Sequence, residues 1–391
     1  MKLNKWTLGL AAVGVVSLAS AVKAEEKAPT FLETAVSGTQ ISGYVNVSAH
    51  WNPGDNGTFT GLTAYQNPAL SSTKADGFNL DAVSVTIAKP LDETEWASGY
   101  NVQLVYGQDA GFLGSENSQP IKQAYVELRT PVGNGIDWKI GVFNTILGYE
   151  SFDAGNNPNY TRSYGYTIEP TTHTGILASY KFCNILSAQL GVANTTDAGY
   201  GTRSGRSESS KSYMGSLTLT APESWGALAG SQLYGAVLVG QQTATHQDTA
   251  NYYVGAVLNT GVKGLKVGAS YDYAGLDSTT TGAGSTGNIG GLTPAGFRTA
   301  AWADAVAVYA SFQATEKLSL HARGEYAWAD AGLTGANHSV YAATGTIQYD
   351  LWKNVLSRLE VRWDHVNGGL FGQDATKKDN VLLAANVIYK F

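Results

Sequence analysis

The sequence predicts an all-β fold, a transmembrane antiparallel up-and-down β-barrel of sixteen strands with an inward-folded third outer loop. Three observations predict it. Apolar and polar residues alternate with a period of two in segment after segment, the connections alternate between long and short, and the chain closes on one more alternating segment that ends in Phe391.

The first element precedes the barrel. Lys2 and Lys5 form a positive start, Leu8 to Leu18 an apolar stretch, and Val22-Lys23-Ala24 a small-residue cleavage site, so residues 1–24 read as a secretory signal peptide. The apolar run is about half of the roughly 20 residues that a spanning helix needs. Removing three lysines and no acid moves the formal net charge from −6 to −9 and leaves residues 25–391 as the expected barrel. An acidic chain without clustered Lys and Arg has no electrostatic footprint for nucleic acid. The lone Cys183 permits no internal disulfide and reads as a small turn residue. Gly (46) and Tyr (22) are abundant, Pro (10) is scarce and only 14% of residues are charged, a profile that fits strands better than a soluble α/β enzyme.

Residues 39–51 set the pattern, with Ile41, Val45, Val47 and Trp51 on one face and Gln40, Ser42, Asn46 and His50 on the other. Further on, Leu318, Leu320, Tyr326 and Trp328 oppose Ser319, His321, Arg323 and Glu325, and Leu359, Val361 and Trp363 oppose Arg358, Glu360, Arg362 and Asp364. In lipid the apolar side chains face outward and the charges face a wet lumen. The same alternation gives strands at 39–51, 77–89, 98–108, 120–130, 136–146, 173–182, 185–194, 211–221, 231–242, 250–260, 264–274, 301–313, 317–329, 337–350, 354–366 and 379–391. Connections are long at 52–76, 147–172 and 275–300 but short at 131–135, 183–184 and 351–353, the asymmetry of outer loops and periplasmic turns. Aromatics gather at strand ends, where an amphipathic ring suits a headgroup interface. Trp51, Tyr106, Tyr252, Tyr273, Trp302, Trp328, Tyr341 and Trp363 form an expected outer girdle, and Tyr180, Phe182, Phe312, Tyr349, Tyr389 and Phe391 an inner one.

The final run from Asn386 to Phe391 resembles the C-terminal strand signal of outer-membrane proteins, which implies that Tyr389 and Phe391 are read by the barrel assembly machinery. Gly148-Tyr149-Glu150, Asn156-Asn157, Thr161-Arg162-Ser163-Tyr164, Glu169-Pro170 and His173-Thr174-Gly175, with Phe78 to Tyr106 and Gly191 to Asn194, resemble the OmpL-like β-barrel porin family of Gram-negative bacteria. The resemblance spans nearly the whole chain after the signal peptide. It implies a porin in the outer membrane and leaves the solute open.

By analogy of position with sixteen-stranded general porins, the connection after the fifth strand narrows the lumen. Its candidate constriction residues are Glu150, Asp153, Arg162, Glu169 and His173, with Tyr149, Phe152, Tyr160, Tyr164 and Tyr166 available to pack on the wall. The excess of acid in this loop predicts a weak cation preference. His321, Arg323, Glu325, Arg358, Glu360, Arg362 and Asp364 are the candidate lumen residues, and charges on neighbouring strands are expected to form cross-strand ladders.

No motif points to catalysis. His321 and Glu325 lie four apart on one strand, about 13 Å by strand rise, too far to share a metal, and the histidines show no ligand spacing. No cofactor is expected and no catalytic residue is assigned. The reading is a water-filled porin for small hydrophilic solutes and ions, with outer-membrane lipid and a homotrimer as partners. A channel selective for a sugar, anion or peptide stands second, and a barrel enzyme or adhesin third.

Overall fold

A computed structural model describes residues 38–53, 76–113, 121–204, 207–242, 248–276, 302–329, 338–367 and 377–391. The expected signal peptide lies outside the described residues.

Sixteen strands form: β1 (Gln40–Trp51), β2 (Gly77–Lys89), β3 (Ser98–Tyr106), β4 (Ile121–Thr130), β5 (Ile136–Asn144), β6 (Thr172–Lys181), β7 (Leu186–Ala193), β8 (Ser212–Thr220), β9 (Gln232–Gln241), β10 (Asp248–Asn259), β11 (Leu265–Leu276), β12 (Trp302–Gln313), β13 (Leu318–Ala329), β14 (His338–Trp352), β15 (Val355–Val366) and β16 (Asp379–Lys390). Each pairs antiparallel with its sequence neighbours, and β16 returns to β1, so the sheet has no edge. All sixteen expected strands are present, with ends within about two residues, because a two-residue period under lipid on one side leaves the register little freedom. β3 stops at Tyr106, two residues short of its expected end, and runs into a 3₁₀ turn at Gln108–Leu113.

The seam is closed by the last residue. Gly43 N–H donates to the Phe391 carbonyl at 2.9 Å and Phe391 N–H to the Gly43 carbonyl at 3.0 Å. A Cβ on Gly43 would stand 2.6 Å from the Phe391 ring and 2.2 Å from the Ser84 carbonyl oxygen, so glycine is what lets the ring lie over β1. At the tightest turn, Asn354 alone among the described non-glycine residues takes a positive φ (68°), the left-handed state that Asn tolerates in a two-residue hairpin.

The two faces separate as the alternation requires. Leu359 is 63% exposed and Arg362, three residues on, is 0% exposed. Of the expected girdle, Trp51, Tyr106, Tyr252, Tyr341 and Trp363 are exposed at one end of their strands, and Phe182, Phe312, Tyr349, Tyr389 and Phe391 at the other. Among the described residues no helix is long and apolar enough to cross a membrane, and the strands do the crossing.

Candidate functional site

The buried polar residues are concentrated on one connection, 145–171, and on the side chains it touches. Apart from a 3₁₀ turn at Ala154–Asn156 and a single helical turn, α1 (Tyr164–Ile168), this segment has no secondary structure. Its buried backbone groups therefore need partners from elsewhere. The inward side chains of the strands supply them.

From β15, Glu360 accepts from the N–H groups of Tyr160 (2.6 Å) and Thr161 (2.9 Å), and Arg362 donates to the Arg162 carbonyl at 2.7 Å. Arg358 donates to the carbonyls of Ala154 and Asn157. From β13, Glu325 accepts from Tyr164 N–H at 2.7 Å, while Arg323 donates to the Thr161 carbonyl at 2.7 Å and pairs with Glu150 at 2.8 Å. Asp364 accepts from the Tyr164 hydroxyl at 2.7 Å. Ser163 caps α1 by accepting from Tyr166 N–H, and Glu150 takes Ser163 N–H in turn.

The segment also reaches the other side of the ring. Asp153 pairs with Lys122 on β4 at 2.7 Å and accepts from Tyr44 on β1 and Gln103 on β3. Burial by itself would raise its pKa, yet the Lys122 ammonium and these hydrogen bonds hold it below the ordinary carboxylate value. The Tyr160 hydroxyl donates to Asp81 on β2 and lies 2.6 Å from His50 Nε2 on β1. Lys390 Nζ on β16 donates to the Gly155 carbonyl at 3.0 Å. At the far end, Glu169 lies beside Asp272 of β11. Desolvation first, and then that neighbouring carboxyl, raise the Glu169 pKa well above its ordinary value.

Three glycines make these approaches possible. A Cβ on Gly148, Gly155 or Gly165 would stand 2.2 Å from Glu169 Oε2, 2.6 Å from Lys390 Cε or 2.2 Å from Asp272 Oδ2. Gly148 also has a φ of 103°.

Of the sequence-predicted residues, Glu150, Asp153, Arg162, Arg323, Glu325, Arg358, Glu360, Arg362 and Asp364 come together in this network and are buried. Arg162 is folded back on its own segment, donating to the carbonyls of Ser151, Tyr160 and Phe152. His173 sits apart, in β6, buried beside Phe143 and 3.1 Å from Thr145 Oγ1. His321 is also apart, with Nδ1 2.9 Å from Ser311 Oγ on β12. The expected cross-strand ladder takes a different form: β13 and β15 are not neighbours, and Arg362 meets Glu325 at 3.5 Å across β14, which presents the small Ala342 and Thr344 between them. Closer pairs form within a strand, Arg323 with Glu325 at 2.6 Å and Arg362 with Asp364 at 2.9 Å. Glu150 and Asp153 turn toward Arg323 and Lys122, so their charge is compensated where they stand.

Lys122, Tyr44, Asp81 and Asp272 were invisible as site residues in the sequence. Lys122 stands at a register shift between β3 and β4, and nothing local in its strand points to a partner 31 residues away. Among the described residues no group of His, Cys, Asp and Glu is arranged to hold a metal.

The sequence matches, over residues 38–391, the family described as "Putative beta-barrel porin-2, OmpL-like". The chain belongs to this family, and with it to the outer membrane. No curated protein matches the sequence. Solved structures share the fold at low identity. The outer-membrane channel DcaP of Acinetobacter baumannii is 14% identical with a TM-score of 0.57, over 90% of this chain and 97% of that one. An anion-selective porin from Comamonas acidovorans is 12% identical with a TM-score of 0.55, over 90% and 99%. OmpT of Vibrio cholerae, in a trimer form, is 11% identical with a TM-score of 0.55, over 90% and 99%.

Proposed function

We propose that this porin forms a water-filled channel for passive diffusion of small hydrophilic solutes and ions, with segment 145–171 crossing the interior as its constriction. One observation carries the reading: the segment's backbone is hydrogen-bonded by side chains from β13 and β15 and its Asp153 by side chains from β1, β3 and β4. A segment tethered to opposite sides of a closed ring narrows whatever passes through it. The constriction residues are then Glu150, Asp153, Arg162 and Glu169, held by the arginines and acids of β13 and β15, with His173 buried behind them in β6. Because Glu150 and Asp153 are paired, the selectivity they confer is weak. Bilayer conductance tests the reading. Purified protein is expected to give steady ohmic steps without any added substrate. Absence of steps from folded protein would sink it.

Assembly follows the same logic. Tyr389 and Phe391 at the seam fit a signal for the barrel assembly machinery, and the trimer form of a structural neighbour supports a homotrimer in outer-membrane lipid. The second reading, a substrate-selective channel, is favoured by the makeup of strands β6–β10.

A further inference from the structure

Strands β6–β10 carry Lys181 and Asp248 as their formally charged residues, both at strand ends. Between those ends the inward positions follow the pairing register in rows. One row, Leu177–Gly191–Met214–Leu238, is apolar and belongs to a buried cluster. The next row is Ser179–Gln189–Ser216, joined by hydrogen bonds from Gln189 Nε2 to Ser179 at 3.0 Å and from Ser216 to Gln189 Oε1 at 3.2 Å.

Three half-buried tyrosines pack against the apolar cluster: Tyr125 of β4, Tyr149 of the loop and Tyr234 of β9. Their rings are held by neighbours. Tyr149 stacks on Tyr309 at 4.0 Å and 11°, and Tyr234 on Tyr253 at 5.8 Å and 14°. Gly255 is required beside Tyr234 and Tyr253, since a Cβ there would meet the Tyr234 ring at 2.7 Å. Held rings lose little entropy on meeting a ligand.

We infer that this sector, in which fixed tyrosine faces adjoin an uncharged hydroxyl and amide row, is a binding site for uncharged hydroxylated rings, that is, small sugars. A sugar ring offers an apolar C–H face that lies on an aromatic ring, and a rim of hydroxyls that exchange hydrogen bonds with serine and glutamine. Strands β6–β10 offer no charge between their ends to hold an ion; at the border stand Lys139, whose Nζ lies 4.9 Å above Tyr125, and the acids Glu127, Glu150, Glu169 and Asp272, which would repel an anion. The inference deepens the second reading and rests on the channel being open to solutes.

The probe is maltotriose, with citrate as a charged comparison of modest size. Recordings of the parent without sugar test the channel itself. Maltotriose is expected to interrupt the current in a concentration-dependent way, and citrate to do so at least about tenfold less well. Tyr125→Ala and Tyr234→Ala should each weaken the block about tenfold, the scale of one lost aromatic stack, while Tyr125→Phe and Tyr234→Phe keep the ring face and most of the block. Calorimetry of maltotriose with folded protein in detergent reads binding without conduction, so a poorly inserting variant is still informative. A conducting parent that maltotriose neither blocks nor binds overturns the inference and leaves the channel standing. Equal block by citrate overturns the preference for uncharged rings. A folded parent that binds maltotriose through these tyrosines but never conducts overturns the channel reading instead.

Discussion

Two parts of one barrel wall face each other and are built on opposite principles. The part made by β13 and β15 places Arg323, Glu325, Arg358, Glu360, Arg362 and Asp364 inward, all buried. The opposite part, β6–β10, places Ser, Gln, Leu, Met and Tyr inward. The difference follows the loop. Where an irregular backbone must be held, each of its polar groups needs a donor or acceptor, and charged side chains give the stronger hydrogen bonds. On β6–β10 a neutral amide does the holding, Asn251 donating to the Ile168 carbonyl at 3.1 Å, and a charge without a partner there would cost desolvation. Charge on β13 and β15 therefore marks what is fastened there.

The largest effect expected from breaking this arrangement is at Arg323, which pairs with two acids and holds the Thr161 and Arg162 carbonyls. Arg323→Ala should destabilise the barrel by about 3–5 kcal/mol, because removing one partner leaves buried charge uncompensated. Adding Glu150→Gln should recover part of that loss in urea titrations of folded protein in vesicles. If the double variant were no better than the single one, the Arg323–Glu150 pair would not be the connection that fastens the loop.

Next in size is a test that confines the comparison to the lumen. On the lipid side both parts meet the same solvent, so Val361→Arg on β15 and Leu217→Arg on β8 should each cost about 2–4 kcal/mol near mid-bilayer. A variant of either strand that unfolded like the parent would mean that its inward and outward faces are reversed.

The two ends of the loop should answer pH with opposite signs. Asp153 has a lowered pKa, so its contact with Lys122 is present above the ordinary aspartate value of about 3.9 and is lost as pH falls through the folded value. Glu169 has a raised pKa, so its contact with Asp272 is complete below the ordinary glutamate value of about 4.3 and weakens as pH rises through the folded value. Amide exchange corrected for intrinsic rates should show Asp153–Asn157 loosening in acid and Tyr164–Ile168 loosening toward neutral and alkaline pH. Parallel behaviour of the two stretches would break the assignment.

The smallest effect belongs to the neutral part. Ser216→Ala removes one hydrogen bond to Gln189 at a half-buried position that fastens nothing, and its stability should stay within about 0.5 kcal/mol of the parent. A loss of several kcal/mol at Ser216 would make the two parts of the wall alike.

Much of the site was legible in the sequence as a set of residue types. Tyr149, Tyr160, Tyr164 and the acids of the loop stood out because a long connection rich in rings and charges has no reason to be so composed unless it packs. What each of them meets was not legible. Tyr160 N–H finds Glu360 200 residues away, and Tyr164 N–H finds Glu325 161 residues away.

The sequence by itself determined the strands, their faces and their order, since each strand needs only lipid on one side and water or protein on the other, and a period of two records that choice locally. The tertiary structure decided which charges meet. Ring closure brings β13 and β15 to the Glu150 and Tyr160 stretches of the loop, lets Arg362 reach Glu325 over the small side chains of β14, and sets Lys122 against Asp153. Those pairings depend on distances across the barrel, and no local pattern encodes a distance that exists only once the sheet has closed.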